Sequence, residues 1–537
     1  MSRSAAFRRF SLVTVAAIVG TVALSPSAHA TQVLPAPTAL HTLPAPTGTD
    51  GCGSGSPYGY IGNGWIYFYA NASSPDNSTV TVEFSVAADD GSASYDYSSS
   101  TASGYNAVLN LPNTDFKDGV SYTWKARSST SDGSQSDWSS ACHFTVDSTP
   151  PPAPSVSSTD FPDQNANLPA PPMRTPGTVT FKVDDPTVGD AVRFQYDLNS
   201  GIGVGDAAAP SPTMASRGTG WVPVGPDGTA TVTIDPTDWV NYIEVRTEDR
   251  AGNVSGTTRY SFNTTWNGPD VHGDLNGDKH PDLVATAKDG KLYVLYGNGD
   301  GTVRAATTYA DAGTDWYPSL IAQNGDLAGG DGFQDIARIN AYGYMGSMVN
   351  NGLGDFNQSQ SGWYRNDGGD WSATTQIALL APDAGQESGG ALLSVEKGQL
   401  LSWQRTSFGI TGDSTVLDSN FGSKATLITP GDLNGDGHDD FLVRDNTSGV
   451  LRLAASNPDG SFGAPHTWRV VGERFFGSTY PLITSVGDAD GDGHPDLYAV
   501  NSSGQLVFFP GNANGGFGAP RTVATSGIDW SQVTQLA

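Results

Sequence analysis

Apolar and polar residues alternate one by one through much of the N-terminal half. WIYFYAN from Trp65, TVTVEFSVAA from Thr79, AVLNLP from Ala107, SYTWKARSS from Ser121 and CHFTV from Cys142 each set an aromatic, branched or small apolar residue at about every second position. A period of two gives a pleated strand one buried and one wet face, so residues 50–147 are expected to hold five or more short strands in a β-sandwich. A second series, residues 148–265, opens on a proline run and closes with the alternating hairpin WVNYIEVRTEDRAGNVSGTTRYSFN from Trp239, predicting another sandwich. Stretches with helical spacing are few, and the fold class expected is all-β. Ahead of both domains, residues 31–49 repeat LPAPT and read as a semi-extended, proline-rich linker.

The pattern changes at residue 266. Through 266–537 an acidic loop, a strand, a glycine turn, a second strand and a Gly/Asn-rich hairpin recur. The hairpins end at Val303, Phe356, Phe408, Phe462 and Phe517, at intervals of 53, 52, 54 and 55 residues. Units of about fifty residues with several strands each predict a β-propeller, here of five blades. A further element precedes the later loops: TDWYPSLIA, GDWSATTQIALLA, SNFGSKATLIT, FFGSTYPLITS and, at the end of the chain, IDWSQVTQLA. The first acidic loop has only a weak copy before it and the last copy has no loop after it. The final strand is therefore expected to complete the first blade and cover both open edges.

Three of the acidic loops are near-copies: VHGDLNGDKHPDLVA from Val271, PGDLNGDGHDDFLVR from Pro430 and VGDADGDGHPDLYAV from Val486. Each has Asp or Asn at positions 1, 3, 5 and 9 and Gly or Lys at position 6, where the backbone must turn. Carboxylates this close repel one another unless a cation sits among them, and calcium takes six to eight oxygens from such a set. The side-chain donors expected are Asp274, Asn276, Asp278 and Asp282; Asp432, Asn434, Asp436 and Asp440; and Asp488, Asp490, Asp492 and Asp496, with position-7 carbonyls from His280, His438 and His494. An EF-hand would need Glu at position 12 and flanking helices, whereas Ala285, Val443 and Ala499 stand there and lead into strands. The second copy, NGDLAGGDGFQDIARI, keeps Asp326, Asp331 and Asp335 with one residue too many. The third, APDAGQESGGALLSV, keeps only Asp383 and Glu387, so no site is expected there.

These motifs carry two resemblances. The NGDGHPDLYAV loops, with SFGAP at 461–465 and GFGAP at 516–520, are similar to the FG-GAP/VCBS repeats of integrin α-chain propellers and of exported bacterial proteins, over roughly half the chain. That resemblance implies a calcium-stabilised propeller and fixes neither ligand nor activity. LPNTDFKDGVSYTWKARSS followed by SDWSSACHFTVDSTPPPAP resembles a fibronectin type III or immunoglobulin-like sandwich, with Tyr122, Trp124 and Trp138 as expected core, and DRAGNVSG resembles the last hairpin of bacterial immunoglobulin-like domains. Tandem sandwiches of this sort are expected to act as spacers.

Composition narrows the setting. Arg3, Arg8 and Arg9, an apolar run from Ser11 to Leu24 and Ala28-His29-Ala30 form the three-part pattern of a cleaved signal peptide over residues 1–30, predicting an exported protein that is secreted or held on the cell wall. That segment carries three arginines and no acid, so its removal takes the formal charge from −28 to −31. A surface so acidic argues against nucleic acid and anionic membrane as partners, and no later stretch could insert in a bilayer. The only two cysteines, Cys52 and Cys142, are expected to form a structural disulfide in an oxidising compartment.

No GxSxG or HExxH motif is present, and His143, His272 and His466 stand near no nucleophile motif. Asp315, Asp370 and Asp529 recur in the GTDW, GGDW and GIDW elements, as architecture does and a single active site does not. Their neighbours Trp316, Trp371 and Trp530 either pack between blades or stack on sugar rings. Two functions remain: a non-catalytic, monomeric calcium-binding module that recognises extracellular polysaccharide or protein, or an extracellular carbohydrate-active hydrolase or lyase with its site on the propeller face.

Overall fold

The computed structural model describes residues 33–537 except 184–189, 203–217, 219, 267, 310–315, 328–330, 357, 360–361, 366–367, 382–389 and 407–408. The signal peptide expected over 1–30, Asp315, and Asp383 with Glu387 lie outside the described residues. Among those described there are strands, turns and two single 3-10 turns, with no α-helix. No helix among them is long and apolar enough to cross a membrane.

The chain divides into two compact units, the first comprising residues up to Ala153 with Asp185–Arg193 and Thr247–Gly256, the second the remainder. In the first unit, Thr38–Leu43, Trp65–Ala72 and Tyr105–Pro112 form one antiparallel sheet. Tyr60–Ile61, Cys142–Val146, Ser121–Ser129, Val80–Ala88 and Ser94–Thr101 form the other. The alternation read from the sequence becomes alternation of burial: Val80, Val82, Phe84 and Val86 are fully buried while the residues between them are partly exposed. Phe68 packs edge-on against Trp124, and Phe116 and Phe144 complete an aromatic centre with Tyr122. Trp138 departs from the expected core. It is half-buried on the surface, its ring covered by the Lys125 ammonium and the Arg127 guanidinium, each 4.6 Å from its centroid. Cys52 and Cys142 are disulfide-bonded with Cα atoms 4.8 Å apart, and closing so long a loop contributes about 4 kcal/mol in the chain-entropy model.

The linker expected over 31–49 is corrected in part, because Thr38–Leu43 is an edge strand on Trp65–Ala72. The six residues TALHTL contain no proline, and the prolines on either side mark its ends, as an edge strand allows. Nor is the second β segment a body apart: its turn at Thr247–Gly256 belongs to the first unit, where Asn253 Nδ2 donates to the Asp147 carbonyl at 2.7 Å and Asn253 Oδ1 accepts from the Asn63 N–H at 2.7 Å. Its strands pair in two sheets, one of them built from Thr229–Ile234, Gly177–Lys182 and Ser155–Ser157.

Among the described residues from 283 onward, five four-stranded antiparallel sheets follow one another. Their innermost strands are Val533–Leu536, Leu320–Gln323, Thr374–Leu380, Ala425–Gly431 and Leu482–Thr484, and segments of all five line one cavity of about 370 Å³. The last strand of the chain pairs with Leu283–Ala287 of the first sheet, with Ala285 opposite Leu536, as the orphan IDWSQVTQLA element led us to expect. The middle strands Leu283–Ala287, Leu292–Leu295, Leu497–Val500 and Leu506–Phe509 are short and buried throughout because both faces are covered. Leu283 and Ala285 pack toward Tyr498 and Phe508 of the fifth sheet, while Val284 between them packs with Ile321 and Ile336 of the second. Similar clusters join the second sheet to the third through Trp363, Trp371 and Trp403, the third to the fourth through Leu393 and Phe441, and the fourth to the fifth through Leu442 and Leu497. Glutamines bind neighbouring inner strands: Gln376 bridges the Ala425 carbonyl and Leu427 N–H, and Gln535 both polar groups of Ile321.

Removing Val533–Ala537 would expose the Leu283–Ala287 edge and strip Ile321 of its glutamine. The shortened chain should melt several degrees lower in its second unit and associate at high concentration, read by thermal denaturation and light scattering; an unchanged melt would contradict the role given to this strand.

Candidate functional site

Each acidic loop lies just before the second strand of its sheet, and its first carboxylate winds it. Asp432 accepts from the N–H groups of Gly435 (2.6 Å), Asp436 (3.1 Å) and Gly437 (2.7 Å), and Asp488 repeats the pattern with Gly491, Asp492 and Gly493. In the first loop Asp274 holds Gly277 and Lys279 in the same way. The position-5 carboxylates of Asp278, Asp436 and Asp492 accept from the N–H groups of His280, His438 and His494, fixing the position-7 backbone. Position 6 is left-handed in all three, with φ 70° at Lys279, 91° at Gly437 and 88° at Gly493. Lysine is strained there where glycine is not.

The aspartate at position 9 does something its spacing did not reveal. Asp282, Asp335, Asp440 and Asp496 have no exposed surface, and each uses one oxygen on the N–H of the second loop residue and the other on a backbone N–H just past the two-stranded hairpin that follows. The pairs are Leu275 and Gly297, Leu327 and Asn350, Leu433 and Ser456, and Ala489 and Gly511. One carboxylate thus staples its loop to the far end of the following hairpin. Burial drives these groups toward the protonated form: Asp282 and Asp335 are pushed up to about 8, Asp496 to about 7 and Asp440 to about 6. Asp274 and Asp331 rise to about 6, again chiefly through burial, with neighbouring carboxylates adding to it.

The third regular loop brings its acids closest. Carboxylate oxygens of Asp488, Asp490 and Asp496 lie within 4.8 Å of one another, and Asp490 Oδ1 is buried without a hydrogen-bond partner. Acceptors facing one another with no donor between them suit a divalent cation. In the other two regular loops Asn276 and Asn434 take position 3, and among the described residues their remaining acids do not converge so tightly. The irregular copy keeps the staple at Asp335, with Asp326 accepting from Gly332 and Asp331 from Phe333. Arg174 lies against the first two loops, bidentate on Asp270 at 2.5 and 2.9 Å with both side chains buried, and its guanidinium covers the Phe333 ring.

In the third sheet the position-9 residue is Gly390, and its partner beyond the next strand is Arg405, whose N–H meets the Gly390 carbonyl at 3.3 Å. The buried Arg405 side chain reaches the Asp326 carbonyl of the second loop, and burial lowers it to about 10 against the pull of Asp326, Asp335 and Asp439. A fixed guanidinium therefore accompanies the loss of the position-9 acid in this repeat, a change visible in the sequence only once Gly390 and Arg405 are aligned to the other copies.

A second acidic group, Asp147, Asp190 and Asp249 in the first unit, also brings three carboxylate oxygens within 4.8 Å and could hold a metal. No spacing signals it, because its members are scattered over a hundred residues. Of the two readings for the recurring tryptophans, packing holds: Trp316, Trp371 and Trp530 are each buried. His143 is stacked on Tyr58 and bonded to Thr123 Oγ1.

Acidic loops at fixed places in successive sheets can be compared with known families. An FG-GAP-like repeat profile matches residues 274–327 and 432–499. No curated protein matches the chain. Similar solved structures include the BP39L lectin of Burkholderia pseudomallei, 14% identical with TM-score 0.27, covering 70% of this chain and 100% of that one. A Ca2+-stabilized adhesin of an Antarctic bacterium is 11% identical with TM-score 0.22, covering 87% and 96%. Fibronectin(III)-like modules of Clostridium thermocellum CbhA are 17% identical with TM-score 0.26, covering 41% and 93%. Superpositions this loose carry no argument about function.

Lys279→Gly should relieve the left-handed strain and raise stability by about 1 kcal/mol, measured by urea denaturation. Asp440→Ala strands buried N–H groups and should cost about 3 kcal/mol. In chelator, carboxyls raised from an unfolded value near 4 stabilise the fold only while protonated, so that contribution is complete below about pH 4 and is lost as pH rises through about 6 to 8. The melting temperature of the chelated second unit should accordingly fall between about pH 5 and pH 9, and a rise would contradict the burial argument.

Proposed function

We propose that residues 266–537 form a closed five-bladed propeller held together by calcium, and that the protein is exported and acts as a non-catalytic binding module for extracellular polysaccharide or protein. The observation that carries the calcium reading is the convergence of Asp488, Asp490 and Asp496 around an acceptor with no donor. At that loop Asp488, Asp490, Asp492, Asp496 and the His494 carbonyl would hold the ion. Asp274, Asn276, Asp278, Asp282 and the His280 carbonyl would do so at the first, and Asp432, Asn434, Asp436, Asp440 and the His438 carbonyl at the second. Asp326, Asp331 and Asp335 offer a partial set. Bound calcium neutralises carboxylates that burial otherwise pushes toward protonation.

Closure is supported by the cavity that segments of all five inner strands line and by the apolar clusters joining every consecutive pair of sheets, the fifth and first included. Export is supported by the disulfide and by the signal-like first thirty residues. A binding role is supported by the architecture itself, since rigid sheets present short exposed turns at their ends, where recognition groups are held without strain. The sandwich domains that precede the sheets in the chain would serve as spacers.

Calorimetry with and without chelator tests the calcium reading. The second unit should melt roughly 10 °C lower without calcium while the first shifts little, and identical scans would contradict it. Binding is tested by presenting the calcium-loaded protein to a glycan array and to cell-wall preparations. Retention that chelator weakens supports the reading, and retention on neither surface counts against it.

A further inference from the structure

In the second sheet the turn between Ile336–Ile339 and Met345–Val349 carries two aromatic residues that no other sheet has there. Tyr342 and Tyr344 flank the turn glycine Gly343. The corresponding flanks are Asp289 and Lys291, Lys397 and Gln399, Ser448 and Val450, and Ser503 and Gln505. Architecture repeated five times does not require aromatic rings that occur once. Tyr342, Tyr344 and the nearby Tyr364 are 80%, 69% and 78% exposed, and none of their phenols bonds to another described residue. Beside them opens a cleft of about 410 Å³ whose lining includes Arg338, Asn340, Tyr344, Trp363, Tyr364 and Asp370. It lies at the end of the sheet opposite the acidic loop, because successive antiparallel connections alternate ends.

The backbone that carries the rings is held in place before any ligand arrives. Asn340 Oδ1 accepts from the N–H groups of Tyr342 and Tyr344 at 2.9 and 3.1 Å, and the Gly343 carbonyl accepts from the Trp371 N–H at 3.1 Å. Buried Trp363 ties its N–H to the Met345 carbonyl and its carbonyl to Trp371 Nε1, which fixes the backbone that carries Tyr364. Only glycine fits at 343, where φ is 75° and a Cβ would stand 2.8 Å from the Ser372 nitrogen.

We propose that this cleft binds one or two hexopyranose units of a neutral polysaccharide, a site that rests on the binding reading above and locates it. Exposed tyrosines present flat apolar faces to the C–H face of a sugar ring and hydroxyls to its rim. Asp370 spends Oδ1 on the Ser372 N–H and hydroxyl, leaving Oδ2 to accept from a sugar hydroxyl. Arg338 donates through Nε to Ser319 Oγ and lies over the Trp316 ring, so its charge is engaged within the fold. With a net charge of −28, the chain disfavours acidic glycans.

Titration calorimetry in millimolar calcium with cellohexaose, chitohexaose and mannohexaose tests this on the full chain, with Y342A/Y344A/Y364A, Y342F/Y344F/Y364F and D370A as variants. Melting temperatures within about a degree of the parent establish that each variant is folded. The parent should bind one of the hexaoses, the triple alanine variant about tenfold or more weakly, and the triple phenylalanine variant closer to the parent. A triple alanine variant that binds as tightly as the parent overturns this site and leaves the wider binding reading standing. A parent that binds none of the three hexaoses also overturns it, and the glycan-array and cell-wall result then decides the wider reading.

Discussion

A carboxylate without exposed surface must be protonated, fully hydrogen-bonded or paired with a cation, and the C-terminal sheets are built around four of them. Asp282, Asp335, Asp440 and Asp496 each join the start of an acidic loop to the far end of the hairpin that follows. Backbone N–H groups satisfy both oxygens of each but do not cancel the charge, which is why burial still drives these groups upward. Whatever neutralises the loop therefore stabilises loop, strand and turn together. In the third regular loop Asp488 and Asp490 crowd toward Asp496 as well, an arrangement that could hold a cation.

The exception supports the rule. Where the third repeat replaces its position-9 acid with Gly390, Arg405 fills the neighbourhood with a permanent positive charge and leans on the second loop. The second loop, with its extra residue and no polar side chain at position 3, is the one that receives this help. Elsewhere the sheets are joined by apolar clusters and by Gln376 and Gln535, whose amides satisfy inner-strand groups that would otherwise face the cavity unpaired.

Much of this was legible in the sequence because two periods carry it. Strict alternation marked the sandwich strands around Phe84 and Trp124, and the recurrence of Asp-rich loops near every fifty residues marked the sheets and the strand at 533–536 that joins the first of them. What escaped depends on which face of a side chain the tertiary structure covers. Trp316, Trp371 and Trp530 recur as either platforms or packing residues would, and only the neighbouring sheet decides for packing. TALHTL looked like linker because the prolines around it dominate the composition, whereas the edge of the first sandwich supplies it with a partner. Tyr342, Tyr344 and Tyr364 carry no motif, and Asp147, Asp190 and Asp249 are joined only by folding.

The acidic loops are proposed as cation sites on which the C-terminal sheets depend. Equilibrium dialysis against radioactive calcium counts the ions directly, on the whole chain at near-neutral pH. The account predicts three or four bound ions per chain, with one fewer when Asp488 and Asp490 are both changed to asparagine. A chain that binds none, or whose count is indifferent to those two residues, would contradict it.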